Sequence, residues 1–379
     1  MAIKTKRSFE YFLTHMFQSQ STHSKTFFPL WGLLLGIAIF MTSCEDTKDS
    51  DVEGDAYRIP IVRLDQQINA CVHALQSKSS KEKQEVFDQY LADYQSFLFE
   101  FLGYDYYVKL GRFTQSEADS LACIQWIGLL SDSAMVALSD SIAQQYPADF
   151  DFEGQLMPPL QRMHKVLPDI RIDTLYTHFN GYDPRSTAAD IDQFAAPKNK
   201  LSVGLHYFMG TSFDYYPPQI PAFVRRRYTP ENMDVLMMHF IADGVVAPLP
   251  NDQSPTLLDG VMRAGIKQYF VQEMLPYEVD STLMMYTTSQ MEWADFFERD
   301  IYQELIDKLF ETKFAYQQTY LAEKPYTTSL VIESAPRIGV YAGWRIIQAY
   351  MDRHPEMTLA ELIGRTDYEE MFKEARYRP

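Results

Sequence analysis

The chain has only three cysteines, and none stands in a Cys-His zinc spacing. It has no P-loop, no Ser-His-Asp order and no G-x-G-x-x-G, since "GLHYFMG" lacks the glycine spacing. Nucleotide cradling and triad hydrolysis therefore have no motif to rest on. Basic charge is short: 34 Lys and Arg stand against 51 Asp and Glu, a formal net charge of −17. That balance argues against nucleic acid and against binding anionic lipid by charge. No internal repeat or low-complexity segment occurs.

The apolar run "FFPLWGLLLGIAIFM" at 27–41 falls short of the ~20 residues of a membrane-spanning helix. Lys4, Lys6, Arg7 and Lys25 precede it, which fits an export signal over 1–43, with Met16 as an alternative start. The run ends in "MTSC". Small residues directly before a cysteine resemble the lipobox of bacterial lipoproteins, in which cleavage leaves the cysteine, here Cys44, as a diacylated N-terminus. Two acyl chains suffice for stable anchoring, so Cys44 is the expected membrane link. Residues 44–56, "CEDTKDSDVEGDA", read as an acidic tether. Its Glu45, Asp46, Asp49 and Asp51 resemble a surface-export tag.

Without the signal the chain keeps 336 residues and a net charge near −20, because residues 1–43 carry four basic side chains and Glu10. Cys71 and Cys123 lie in helix-like sequence and read as two buried thiols, with a disulfide as the alternative.

"YRIPIVRLDQQI" reads as a short strand leading into a helix. Apolar residues at helical spacing predict a helix over 83–102, then 117–130, 132–146, and 155–166 interrupted by Pro158 and Pro159. "DIRIDTLYTHFNGY" and "KLSVGLHYFMG" are rich in β-branched and aromatic residues and predict two paired strands. Helices are expected again over 230–243, 256–273, 289–310 and 337–353. Thr358 with Glu361 and Thr366 with Glu369 have capping-box spacing and predict two short helices at the end. The fold class is mostly α (α+β), with one small β-sheet. A helical part over 57–168 and a second part over 169–379 are expected.

"DVLMMHFIADGVVAPL" at 234–249 poses the chemical question. Thr229 as N-cap, Pro230 and Gly244 frame a helix. His239 and Asp243 are four apart and so share a face, the spacing of zinc ligands in H-E-x-x-H peptidases. A hydrolytic zinc needs three protein ligands and a base beside the bound water. Phe240 stands where the base belongs, and Ala264, 25 residues after His239, stands where a third ligand would come from the next helix. Asp259 and Glu273 lie more than a turn away from that place. The residues predict no metal and no cofactor, with His239 a core or helix-end histidine.

The segments "KLSVGLHYFMG", "YYPPQIPAFVRRRYTPENM", "LLDGVMRAGIKQYFVQEMLP" and "ESAPRIGVYAGWRIIQAYM", with the ending "MFKEARYRP", resemble the gliding motility-associated lipoprotein GldB family. The likeness runs over about 57–379. It implies a cell-envelope lipoprotein, favoured at the outer membrane, that serves surface motility and the associated protein secretion through envelope partner proteins. It also implies distant kinship with predicted zinc metallopeptidases, hence a zincin-like helix pair without its metal motif. It implies no reaction. The alternatives are a hydrolase with an unconventional metal set on His239 and Asp243, and a surface lipoprotein binding glycans or peptides.

Two further groups are candidates for binding. Arg225, Arg226 and Arg227 form a basic island on an acidic protein, either a dock for a carboxylate, a phosphate or an acidic partner, or a set of surface salt bridges. Glu333, Arg337, Tyr341, Trp344 and Arg345 cluster around a helix start, where Arg337 opposes the helix dipole and calls for a carboxylate from elsewhere. Gly339 and Gly343 would let another helix approach closely.

Overall fold

The computed structural model describes residues 57–101, 114–181, 194–195, 199–249 and 254–379. The signal, Cys44 and the acidic tether lie outside the described residues. Strand β1 (Ile61–Arg63) leads directly into α1 (Leu64–Leu75). It is joined by β2 (Thr174–His178), β3 (Phe194–Ala195) and β4 (Lys200–Gly204) in one sheet of order β1-β2-β4-β3. The first three in that order run parallel, with Ile61 opposite Leu175 and Leu175 opposite Leu201, and β3 adds an antiparallel edge. Parallel pairing needs long crossovers, and the first is supplied by helices.

Those helices are α2 (Ser80–Leu91), α3 (Gln95–Phe101), α4 (Gln115–Leu130), α5 (Ser133–Gln145) and α6 (Phe152–Val166). The helix expected over 83–102 is divided by a 3-10 turn at Ala92–Tyr94. It also begins earlier, because Ser79 and Glu82 form a complete capping box. Pro158 and Pro159 do not interrupt α6, contrary to expectation. Each interior proline costs roughly 3 kcal/mol. Phe152, Leu156, Met157, Leu160 and Met163 are all buried, and at roughly 1.5–3 kcal/mol each their burial outweighs that cost.

After the sheet come α7 (Ala222–Arg225), α8 (Met233–Val245), α9 (Leu257–Met274), α10 (Asp280–Leu283), α11 (Thr288–Phe296), α12 (Glu298–Ile306), α13 (Phe314–Tyr320), α14 (Ile338–Arg353), α15 (Leu359–Gly364) and α16 (Tyr368–Ala375). Pro230 opens a 3-10 turn ahead of α8 rather than α8 itself, and Thr229 makes no side-chain cap. Gly244 lies inside α8, which ends one residue later. The helix expected over 289–310 is broken at Phe297, which alone separates α11 from α12, and it ends at Ile306. Thr358 and Glu361 cap α15 as expected, but Thr366 does not cap α16. Asp367 takes the N-cap place instead, its carboxylate held by Arg365.

Helices α9 and α14 pack backbone to backbone. A Cβ placed on Gly265 would lie 2.3 Å from the Gly343 carbonyl, and one on Gly343 would lie 2.1 Å from the Val261 oxygen. One continuous core spans the sheet and both sets of helices, from Leu64 and Trp126 to Trp344 and Met371. Among the described residues no single helix is long and apolar enough to cross a membrane. Cys71 and Cys123 are free and buried; burial pushes the Cys71 thiol up to about 12.

Candidate functional site

The four residues Leu283 to Tyr286 hold the centre of the C-terminal half together. Leu283 ends α10, so the carbonyls that follow have no helical partner. Met285 then takes a left-handed φ of 55°, and Leu283, Met284, Met285 and Tyr286 are all buried. A buried carbonyl without a donor costs about 1–3 kcal/mol, and side chains from distant segments remove that cost. Leu283 O accepts from His239 Nε2 on α8 and from Gln268 Nε2 on α9, each at 2.9 Å. Arg337 donates to Met284 O, and Arg226 Nη2 donates to Met285 O at 2.8 Å and to Gln290 Oε1 at 3.0 Å. Tyr286 returns its hydroxyl to Pro336 O.

His239 is thus a donor to a helix end, though the end belongs to α10 rather than to its own helix. A carbonyl cannot donate, so Nε2 carries the proton. Burial pushes the imidazole down to about 4, with Arg337 and Arg227 adding to the push. Asp243, one turn on, pairs with Lys267 of α9. Phe240 packs partly buried against the core, and so does Ala264 on α9. Asp259 is spent in the capping box with Thr256. These residues do not fit a zinc ion: one imidazole nitrogen is taken by a carbonyl, one carboxylate by a lysine, and Ala264 has no donor atom. Among the described residues no three His, Cys, Asp or Glu side chains converge as a metal-binding set.

The basic island is not a surface feature throughout. Arg227 is only 7 % exposed, and its Nη1 lies 2.7 Å from Glu323 Oε2. The other oxygen of the same carboxylate lies 3.1 Å from Arg337 Nη1. Arg337 is the N-cap of α14, in the left-handed region at φ 50°, so its side chain leaves the helix start toward Glu323 instead of running along it. Burial pushes Arg227 down to about 10, and Arg337 beside it adds to the push. Burial also pushes Glu323 up, but Arg337 and Arg227 together outweigh it and hold the carboxyl below its ordinary range. Arg225 at the end of α7 is partly exposed and its Nε is unpartnered.

Tyr341, Trp344 and Arg345 face another joint. The Tyr341 hydroxyl and Arg345 Nη2 both donate to Asp295 Oδ1 at 2.9 Å. Trp344 Nε1 donates to Gln272 Oε1 at 2.7 Å, and Arg345 lies over the rings of Tyr341 and Trp344. Tyr341 and Trp344 are fully buried, so they offer no face on which a sugar or peptide could stack. Glu333 is exposed on the preceding loop.

Sequence reasoning did not single out Glu323, Gln268 or the Leu283–Tyr286 turn. Glu323 lies in "LAEKPYT", a loop with no periodicity, and its partners are 96 residues before and 14 after it. No local pattern joins positions so far apart.

A comparison with curated proteins gives no match, and one with solved structures gives none either. The family model described as gliding motility protein GldB matches residues 45–379, all but the first 44 positions, and the chain belongs to that family.

Proposed function

We propose that this protein is a lipid-anchored, non-catalytic component of the cell envelope that serves gliding motility and the associated secretion machinery by binding partner proteins. Family membership supports the link to motility and to a lipoprotein. The family match begins one residue after Cys44, which agrees with a signal over 1–43 and a diacylated Cys44; the outer membrane is the favoured site. The observation that carries the non-catalytic reading is the engagement of His239 with Leu283 O. The side chain best suited to metal or proton chemistry serves as a packed donor, and Phe240 beside it takes no proton. The helix pair α8 and α9 is read as zincin-like without a metal motif.

Complementation tests the reading. In a gliding host lacking the gene, the chain with both His239→Ala and Asp243→Ala restores spreading as the wild type does, provided its level is matched. Cys44→Ala does not restore it, and its product leaves the membrane fraction. Loss of spreading at full protein level in the double variant would favour a catalytic role for the helix pair.

A further inference from the structure

Around Glu323 the charges do not balance. Arg226, Arg227 and Arg337 influence one another's ionisation, and Glu323 is the carboxylate that both Arg227 and Arg337 reach. With His239 neutral, the group carries a formal excess of two positive charges on an acidic chain. The donors do not balance either. Arg227 Nε and Nη2 and Arg337 Nε are buried without a hydrogen-bond partner. Arginine is retained in such a place at a cost unless an anion with enough acceptors meets it.

Glu323 differs from the arginines it neutralises. Its side chain is 45 % exposed, against 8 % for Arg227 and 11 % for Arg337. It stands in the irregular stretch between α13 and α14, on the more exposed side of its two ion pairs. Its two oxygens are divided between the two arginines, a planar two-point arrangement that any carboxylate can reproduce.

We propose that Arg226, Arg227 and Arg337 form a site for a ligand carboxylate, either a peptide C-terminus or a small organic acid, and that Glu323 occupies this site from within when no ligand is bound. The inference rests on the proposed function only in taking the protein's work to be binding. Exchange of one carboxylate for another keeps both ion pairs and releases Glu323 to water. A ligand that also accepts from Arg227 Nε or Nη2 gains hydrogen bonds that Glu323 does not make.

The test uses the full chain purified in detergent, at constant ionic strength in chloride. The probes are acetyl-trialanine with a free C-terminus, the same peptide amidated, succinate, and inorganic phosphate. Calorimetry should show saturable binding of the free acid and none of the amide. Glu323→Gln keeps the shape and removes the resident charge, so it should bind the free acid at least tenfold more tightly. Arg227→Lys, which breaks the fork of donors, should lose at least tenfold; if that variant does not fold, the Glu323→Gln result decides alone. Equal binding of acid and amide, no binding by Glu323→Gln, or phosphate binding without carboxylate binding would overturn the proposal. Succinate binding without peptide binding would support the carboxylate site and assign it to small organic acids. Failure here with normal gliding in the His239 and Asp243 double variant removes this site and leaves the functional reading standing.

Discussion

His239 and Gln268 donate to one and the same oxygen, the carbonyl of Leu283, each at 2.9 Å. Two helices, α8 and α9, thereby hold the C-terminal end of a third. The shared acceptor sets what each substitution costs. With either donor removed the oxygen keeps the other, so His239→Ala should cost on the order of 1 kcal/mol, as a lost neutral hydrogen bond does. The double change with Gln268→Ala orphans a buried carbonyl and should cost clearly more than the two single costs added. A double-mutant cycle in denaturant measures this; strict additivity would show that the two bonds are independent.

Acid should weaken the fold well above the carboxylate range. Burial pushes His178 down to about 3, His239 down to about 4 and His206 well below its ordinary value. The folded protein holds these rings neutral, whereas the unfolded chain takes up protons below about pH 6.5. Their contribution is therefore full above pH 6.5, falls as pH drops below it, and levels off once the folded values are passed. At pH 5 the loss is on the order of 2 kcal/mol for His178, and His206 adds a loss of the same sign. Asp234, pushed up to about 6 by burial, works in the opposite direction and returns about 1 kcal/mol over the same interval. Thermal melts should shift downward from pH 7 to pH 5, and His239→Gln should reduce the slope; a flat profile would contradict the neutral buried rings.

Gly265 and Gly343 should tolerate no side chain. A methyl group at either meets backbone atoms of the facing helix at 2.1–2.3 Å, and backbone cannot rotate away as a side-chain tip can. Gly343→Ala should therefore cost at least about 2 kcal/mol, toward the upper end of overpacking penalties. Gly128→Ala, which meets nothing within 4 Å, is the matched control and should be neutral or stabilising. Equal melting temperatures for the two variants would contradict the close crossing of α9 and α14.

Features of short sequence range were legible. The Thr358–Glu361 capping box is a contact over three residues, and the β-branched and aromatic content around "KLSVG" is local; α15 and β4 form as these signals predict. Ser79 and Glu82 carry the same capping-box signal, upstream of the apolar spacing from which the helix over 83–102 is expected. Thr366 and Glu369 had the spacing but not the cap, because Arg365 draws Asp367 into the N-cap place. Pro158 and Pro159 argued locally for a break that burial of α6 overrides. The carboxylate demanded by Arg337 was legible as a need, while its identity was not, since Glu323 is placed by the whole fold. Trp344 and Tyr341 could be read as core or as a binding face, and only burial decides for the core.

His239 is a packed donor to Leu283 O, and zinc stoichiometry tests most directly the proposal that the protein works by binding and not by metal chemistry. Full-length protein purified without chelator should carry clearly less than one equivalent of zinc by elemental analysis. Added chelator should leave its melting temperature unchanged, and His239→Ala should not alter the metal content. One equivalent of zinc that disappears in His239→Ala would contradict the account and return the α8–α9 pair to the metal-dependent hydrolases.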